Sequence, residues 1–211
     1  MHNASKLRPI NPSNEILKFA DDTYIIVSAQ GCHACHDELE HVRSWASDNN
    51  LTLNRAKSKE IIFRARGVRG ATSQLPNPID GNERVDKITA LGIIVNDQLT
   101  STDHVSNLLA SCSSLLYALR LLREHGLRTS SLHDVFRATV VSKILYCVPA
   151  WYGFSWAADL NKLEPFLRRC KRSGYCKQDM PTITEQMDDG TTVSFIVSLQ
   201  TNITCCNAIF T

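Results

Sequence analysis

Charge of one sign is scarce in this chain. Lys and Arg total 23 against 21 Asp and Glu, a formal net charge of +2 over 211 residues. That balance excludes a whole-chain basic coat for nucleic acid, so any such binding must be local. Also missing is an uninterrupted apolar run approaching the roughly eighteen residues of a membrane span. The opening residues, MHNASKLRPINPSNE, lack the apolar core of a signal peptide. These two absences point to an intracellular setting, nucleus or cytoplasm undistinguished, and to no membrane partner. In that setting the 8 cysteines read as reduced thiols, because their spacing is irregular and the chain is not small. The sequons at Asn3 and Asn202 then carry no meaning. Cys32-His33-Ala34-Cys35-His36 has zinc-ligand residue types at short spacing, but no second pair lies at a compatible distance. The length suffices to bury a sizeable core as one or two domains.

What is present centres on residues 15–28, EILKFADDTYIIVS. Two strand-length runs rich in β-branched and aromatic residues, 16–20 and 23–27, meet at Asp21 and Asp22, which predicts a hairpin with the acidic pair at its tip. Adjacent carboxylates repel each other, and Asn-Gly would turn the chain better. A polar surface turn is the plain reading, and a bound Mg²⁺ the chemical one. Mg²⁺ held by one or two carboxylates plus substrate phosphates is an arrangement that serves in-line phosphoryl displacement.

Residues 1–14 are polar, carry Pro9 and Pro12, and read as an extended connector. A helix is predicted over 34–47, with Leu39, Val42 and Trp45 or Ala46 inward and Asp37, Glu38, Glu40 and Arg43 on the other face. Asn49-Asn50 ends it, and two strand-like pieces, 51–53 and 60–63, flank the cationic loop Asn54-Arg55-Ala56-Lys57-Ser58-Lys59. Residues 65–83 are rich in Gly, Pro and polar residues and read as a loop. Residues 88–95 predict a strand pair, with Gly92 at a turn, bulge or close backbone approach. From Ser101 the apolar period becomes helical. Three amphipathic helices are expected, from 101 with Thr102 or Asp103 as N-cap and Gly126 as stop, over 131–147 ended by Pro149, and over 158–172. Residues 162–177 concentrate Lys162, Arg168, Arg169, Lys171, Arg172 and Lys177 against Glu164 alone, which suits either a phosphate backbone or a solvated basic face. Asp188-Asp189 has no incoming apolar strand and is not read as a second acidic site. Residues 193–199 have strand character.

Phe19-Ala20-Asp21-Asp22 between two hydrophobic strands resembles the third catalytic motif of reverse transcriptases, in the form typical of non-LTR (LINE-type) retrotransposons. Trp45-Ala46, Asn49-Asn50-Leu51, Leu53-Asn54, Lys57-Ser58 and Ile61-Ile62-Phe63 resemble the next palm motif of the jockey-like branch. Phe136-Arg137-Ala138-Thr139-Val140 and Pro149-Ala150-Trp151-Tyr152-Gly153-Phe154 extend the similarity, which covers about residues 7–180.

The resemblance implies an α+β fold: a connector (1–14), a partial polymerase palm of antiparallel strands plus a helix (15–97) and a helical thumb (101–177). Residues 178–211 form a tail that it does not assign. The implied activity is RNA-directed DNA polymerisation, a nucleotidyl transfer by a transposable element. Its partners would be an RNA template, a DNA primer and deoxynucleoside triphosphates, and its cofactor a pair of Mg²⁺ ions. By resemblance Asp21 is the main metal ligand and Asp22 its support. Lys57, or failing that Lys59, is the acid for the leaving pyrophosphate, and Leu91-Gly92 is the primer grip. Arg168 and Arg169 are the nucleic-acid contacts read from local charge. In the family the fingers and the other metal-binding aspartate lie before this stretch, so the missing portion is expected upstream and the fragment is expected to be inactive alone. The competing expectations are a non-catalytic nucleic-acid-binding remnant and a decayed element without stable function.

Overall fold

The computed structural model describes residues 7–28, 34–64, 76–79 and 81–190, with the side chains of 188–190 excepted. The chain is α+β and divides into two compact units. Of the described residues, those up to 88 together with 96–99 form the first, and 89–95 together with 100–190 form the second.

In the first unit, β1 (Glu15–Phe19) and β2 (Asp22–Ile26) pair antiparallel, with Glu15 opposite Ile26 and Phe19 opposite Asp22. Alternation puts Ile16, Lys18, Thr23 and Ile25 on one face, and Ile25 and Val27 share a core with Leu39 and Val42 of α1 (Cys35–Asp48). The helix closes as expected at Asn49-Asn50. Asn50 takes a left-handed φ of 55°, Leu51 N–H donates to Ala46 O at 2.8 Å, and Asn50 N–H donates to Ser47 O at 3.1 Å. This is a Schellman closure with Asn in the position glycine usually takes.

One residue of α1 departs from its pattern. Glu38, expected on the solvent face, is fully buried. Its carboxylate accepts hydrogen bonds from Ile10 N (3.0 Å), Asn11 N (2.8 Å) and Asn14 Nδ2 (3.0 Å). The segment leading into β1 is therefore not a loose connector from residue 10 onward. It is clipped to α1, because its free amides need an acceptor once covered.

The strand-like pieces beyond α1 differ from expectation as well. Residues 51–53 form no strand, and only β3 (Lys59–Glu60) pairs, in parallel, with β4 (Glu83–Arg84). Ile61, Ile62 and Phe63 are buried without being strand. Glu60, 1% exposed, accepts from Arg84 at 2.6 Å and from Ile79 N–H at 3.1 Å, while Arg84 also donates to Pro76 O at 2.8 Å. That clamp holds the returning chain. Most of the predicted loop 65–83 lies outside the described residues, as do Cys32, His33 and the strand expected over 193–199.

Strands β5 (Lys87–Ala90) and β6 (Ile93–Asn96) form a hairpin about Leu91-Gly92. The described strands thus make three separate two-stranded sheets.

The second unit is otherwise helical. Helix α2 (Thr102–Glu124) stops in a Schellman closure at Gly126, φ 86°. Ser101 occupies the N-cap position without a side-chain cap, in place of the Thr102 or Asp103 expected. Thr102 instead donates its hydroxyl to Asp159 at 2.7 Å. Helix α3 (Thr129–Phe136) runs through a π-helical turn (Arg137–Val141) into α4 (Ser142–Leu145). The expected break at Pro149 is displaced. The helix ends earlier, Cys147 turns left-handed (φ 49°), and Pro149 sits in the first turn of α5 (Val148–Trp151), where its missing N–H costs nothing. A 3₁₀ turn (Tyr152–Phe154) leads to α6 (Ala157–Arg172), and α7 (Ile183–Gly190) follows. Phe136, Ile144, Trp151, Leu163 and Met187 are among the fully buried side chains of one core.

Helix α2 is the one candidate for a membrane-length helix among the described residues. Its mean hydropathy reaches 1.4 over an 18-residue window, so it is long and apolar enough to cross a membrane by length and composition. Serines interrupt the apolar run, yet Ser106, Ser113 and Ser114 return their hydroxyls to carbonyls four residues back. The helix packs on α3 and α6 and contributes Val105, Leu108, Cys112 and Leu119 to the core.

Candidate functional site

The hairpin β1–β2 is the element that positions the acidic pair. Its loop is only two residues long, Ala20 and Asp21. Ala20 has φ 52°, a left-handed conformation that a residue with a Cβ adopts at a cost and that Gly or Asn would adopt more cheaply. Asp21 is exposed at the second loop position. Asp22, expected beside it at the tip, begins β2 opposite Phe19 and is half-buried. Register puts Asp22 on the outer face with Leu17, Phe19 and Tyr24, and Tyr24 donates its hydroxyl to Asp22 Oδ2 at 3.4 Å. Phe19 is 62% and Leu17 49% exposed, so an apolar rim adjoins the two carboxylates. On the other face, Lys18 Nζ lies 4.0 Å from the centre of the Trp45 ring, and burial lowers the Lys18 pKa.

Two oxygen-bearing side chains side by side suit a hard cation whose remaining ligands come from elsewhere. Among the described residues no group of three or more His, Cys, Asp or Glu is placed to hold a metal.

Lys57 belongs to the same unit, on a turn drawn tight by Asn54. The Lys57 amide donates to Asn54 O (3.1 Å) and Oδ1 (3.3 Å), and Ser58 donates both N–H and hydroxyl to Asn54 O at 3.0 Å. Lys57 is exposed, and among the described residues no ion pair engages its ammonium. Lys59 differs, being paired with Glu83 at 3.0 Å. Of the two lysines, Lys57 is the one with its charge available.

In the second unit, Leu91 and Gly92 form a two-residue turn with both φ positive, 48° and 85°. That is the type I′ signature, which suits the right-handed strand twist but normally calls for Asn-Gly. A leucine held there is strained, and it is 42% exposed. Tyr146 donates its hydroxyl to Leu91 O at 3.1 Å, and a Cβ on Gly92 would lie 3.3 Å from Tyr146 Cε1. Gly92 thus serves both as a turn residue and as a point of close approach.

Arg168 and Arg169 are exposed on α6, with the Arg169 guanidinium 5.5 Å from the Phe166 ring centre. The basic segment is less uniform than its sequence. Lys162 pairs with buried Asp159 at 2.7 Å, and Lys171 donates to Met180 O. Arg168, Arg169 and Arg172 remain exposed without an ion pair among the described residues. Basic residues in the last turn of a helix also complement its dipole.

His104, which sequence reasoning passed over, lines a cavity of about 380 Å³ with Gly92, Asn107, Thr139, Ser142, Lys143 and Tyr146. Burial, with Lys143 nearby, lowers its pKa. A lone His near a helix start carries no signal of this in the sequence. The described cysteines, Cys35, Cys112, Cys147, Cys170 and Cys176, are free thiols, and burial pushes Cys112 up to about 11 and Cys170 to about 12. Cys112 and Cys170 are therefore poor nucleophiles and packing residues, whereas Cys147 is exposed. Cys35 is buried, while His36, its neighbour in the short cysteine–histidine cluster, is exposed.

No family model, curated protein or solved structure matches this chain.

Proposed function

We propose that the chain is the palm and thumb portion of an RNA-directed DNA polymerase of the non-LTR, jockey-like kind. One observation carries the reading: the Phe-Ala-Asp-Asp sequence occupies a tight hairpin whose strained loop presents Asp21 to solvent, with Asp22 beside it. Strain of this kind persists where surrounding structure or function imposes it. The first unit then corresponds to palm and the helices of the second to thumb.

In this reading Asp21 and Asp22 would hold Mg²⁺, which would supply charge neutralisation of the triphosphate and a lowered pKa for the primer hydroxyl. The primer 3′ oxygen forms a bond to the α-phosphorus, the bond to the pyrophosphate oxygen breaks, and the hydroxyl proton leaves to solvent. Lys57, exposed and unpaired, delivers a proton to the departing pyrophosphate. Leu91-Gly92 presents main chain to the primer end, the exposed Leu91 side chain giving it an apolar contact. A two-metal centre needs carboxylates on both sides of the ion pair, and in this reading Asp21 and Asp22 would be one side.

Primer extension on an RNA template tests the proposal. Residues 1–211 alone should give background. Extension should appear when the family's missing palm half is joined ahead of His2, and Asp21→Asn in that longer protein should abolish it while duplex binding survives. Robust extension by residues 1–211, or activity in the Asp21→Asn protein, would sink the assignment. A binding function without chemistry is the second reading, favoured by the exposed Arg168, Arg169 and Arg172. It predicts duplex binding with no extension in either form.

A further inference from the structure

The second unit contains a polar cavity whose His104, Asn107 and Lys143 the polymerase reading does not use. It is bounded by the Leu91-Gly92 turn, by His104, Asn107 and Leu108 of α2, and by Ala138, Thr139, Ser142, Lys143 and Tyr146 of the α3–α4 run. Its wall on one side is the π-helical turn Arg137–Val141, and such turns recur at functional sites. The volume, about 380 Å³, falls within the roughly 300–1,000 Å³ of small-molecule sites.

The chemistry of the wall is one-sided. Thr139, Ser142 and Tyr146 each donate their hydroxyl proton to a main-chain carbonyl, those of Val135, Arg137 and Leu91. Three N–H donors are left. Lys143 and Asn107 stand exposed at the rim, and His104 is 94% buried, being 6% exposed. The Ile94 amide donates to His104 Nδ1 at 3.4 Å. Nδ1 is therefore an acceptor, and the ring proton sits on Nε2. Neutrality of the ring agrees with its lowered pKa. Among the described residues His104 Nε2, the Asn107 amide and the Lys143 ammonium have no hydrogen-bond partner, and no carboxylate lines the cavity.

We propose that this cavity binds a phosphate group, held by His104 Nε2–H at its floor and by Asn107 and Lys143 at its rim. Three donors from separate positions around one space suit an anion whose acceptor oxygens point in several directions, as the tetrahedral oxygens of phosphate do and the planar pair of a carboxylate does not. Leu108, Ala138 and Gly92 leave an apolar strip for whatever carries the phosphate. The site stands on its own geometry and does not rest on the polymerase reading.

The probe is inorganic phosphate, added to the full chain against sodium chloride of matched ionic strength, with the His104 ring followed by proton–nitrogen NMR. Its resonance is assigned by its loss in His104→Gln. Phosphate should shift it saturably and chloride should not. Lys143→Gln and Asn107→Ala change exposed positions and leave the core intact, and each should raise the phosphate Kd by about tenfold. An RNA–DNA duplex identifies the source: a matching shift, weakened in Lys143→Gln, marks a backbone phosphate, whereas no shift beside intact phosphate binding marks a free phosphomonoester. A linear, unsaturating phosphate response, or an unchanged Kd in both rim variants, overturns the proposal.

Discussion

Replacing Glu38 should loosen the first unit far more than a surface substitution on the same helix. Its carboxylate is fully buried and accepts three hydrogen bonds. A hydrogen bond to a charged group contributes about 1.5–3 kcal/mol, and a buried donor left unmatched costs about 1–3 kcal/mol. Asn14 is buried, while the amides of Ile10 and Asn11 reach water once the segment lifts. Glu38→Ala is therefore expected to cost about 3–4 kcal/mol. Glu38→Gln is milder. Oε1 takes the Asn11 and Asn14 bonds and Oε2 the Ile10 bond, so a glutamine oxygen placed at Oε1 keeps two bonds and its NH₂ opposes the Ile10 amide, at about 1–2 kcal/mol. Glu40, exposed and paired only with Arg43 on the same helix, should cost about 0–1 kcal/mol when changed to Ala.

Native-state hydrogen exchange at the α1 amides of Leu39 and Val42 reads these differences. A loss of about 3 kcal/mol accelerates exchange by about a hundredfold. The pH dependence carries a second signature. Burial alone would raise the Glu38 pKa, but the hydrogen bonds from Asn11, Asn14 and Ile10 outweigh it and hold the carboxyl below its ordinary value of 4.5. A depressed folded pKa means that the stabilisation is present above the unfolded value and is lost as pH falls through the folded one. The gap between parent and Glu38→Gln should therefore narrow below about pH 4.5. Equal exchange in Glu38→Ala and Glu40→Ala would refute the reasoning.

Gly92→Ala imposes a side chain at φ 85° and 3.3 Å from Tyr146. Its expected cost is about 1–2 kcal/mol in thermal unfolding, whereas Tyr146→Phe keeps the ring carbon and should lose only about 0.5–1.5 kcal/mol, through the Leu91 hydrogen bond. Arg168→Ala with Arg169→Ala should weaken duplex binding equally across sequences and reduce the logarithmic salt slope by about 2. An unchanged slope would make that face of α6 a solvated surface. Because burial and Lys143 depress the His104 pKa below 6.5, the second unit should lose stability as pH falls from about 6.5 towards the folded value, and His104→Gln should flatten that loss in urea unfolding.

Residues carrying local information declared their structure in the sequence. The strand-length runs around Asp21-Asp22 form β1 and β2, Asn49-Asn50 and Gly126 close their helices, and Gly92 sits in the turn expected of it. Each depends on side-chain period or on backbone freedom at one position, quantities that neighbouring residues settle. The exposure of Asp21, Arg168 and Arg169 was legible for the same reason, as short patterns of charge.

Tertiary structure alone decided where covered polar groups found partners. Glu38 looks like a solvent-face residue by helical period, and only the arrival of residues 10–14 over α1 makes burial of its charge tolerable. Asp159, Glu60 and His104 follow the same rule. Each is buried with a partner distant in sequence, namely Thr102, Arg84 and the Ile94 amide. Lys57 and Lys59 are equivalent in sequence, yet Glu83 engages one and leaves the other unpaired among the described residues. Pairings of this kind depend on which segments meet after the chain has folded back. Local pattern does not contain that, because a buried charge is stable only beside a group that local pattern does not name.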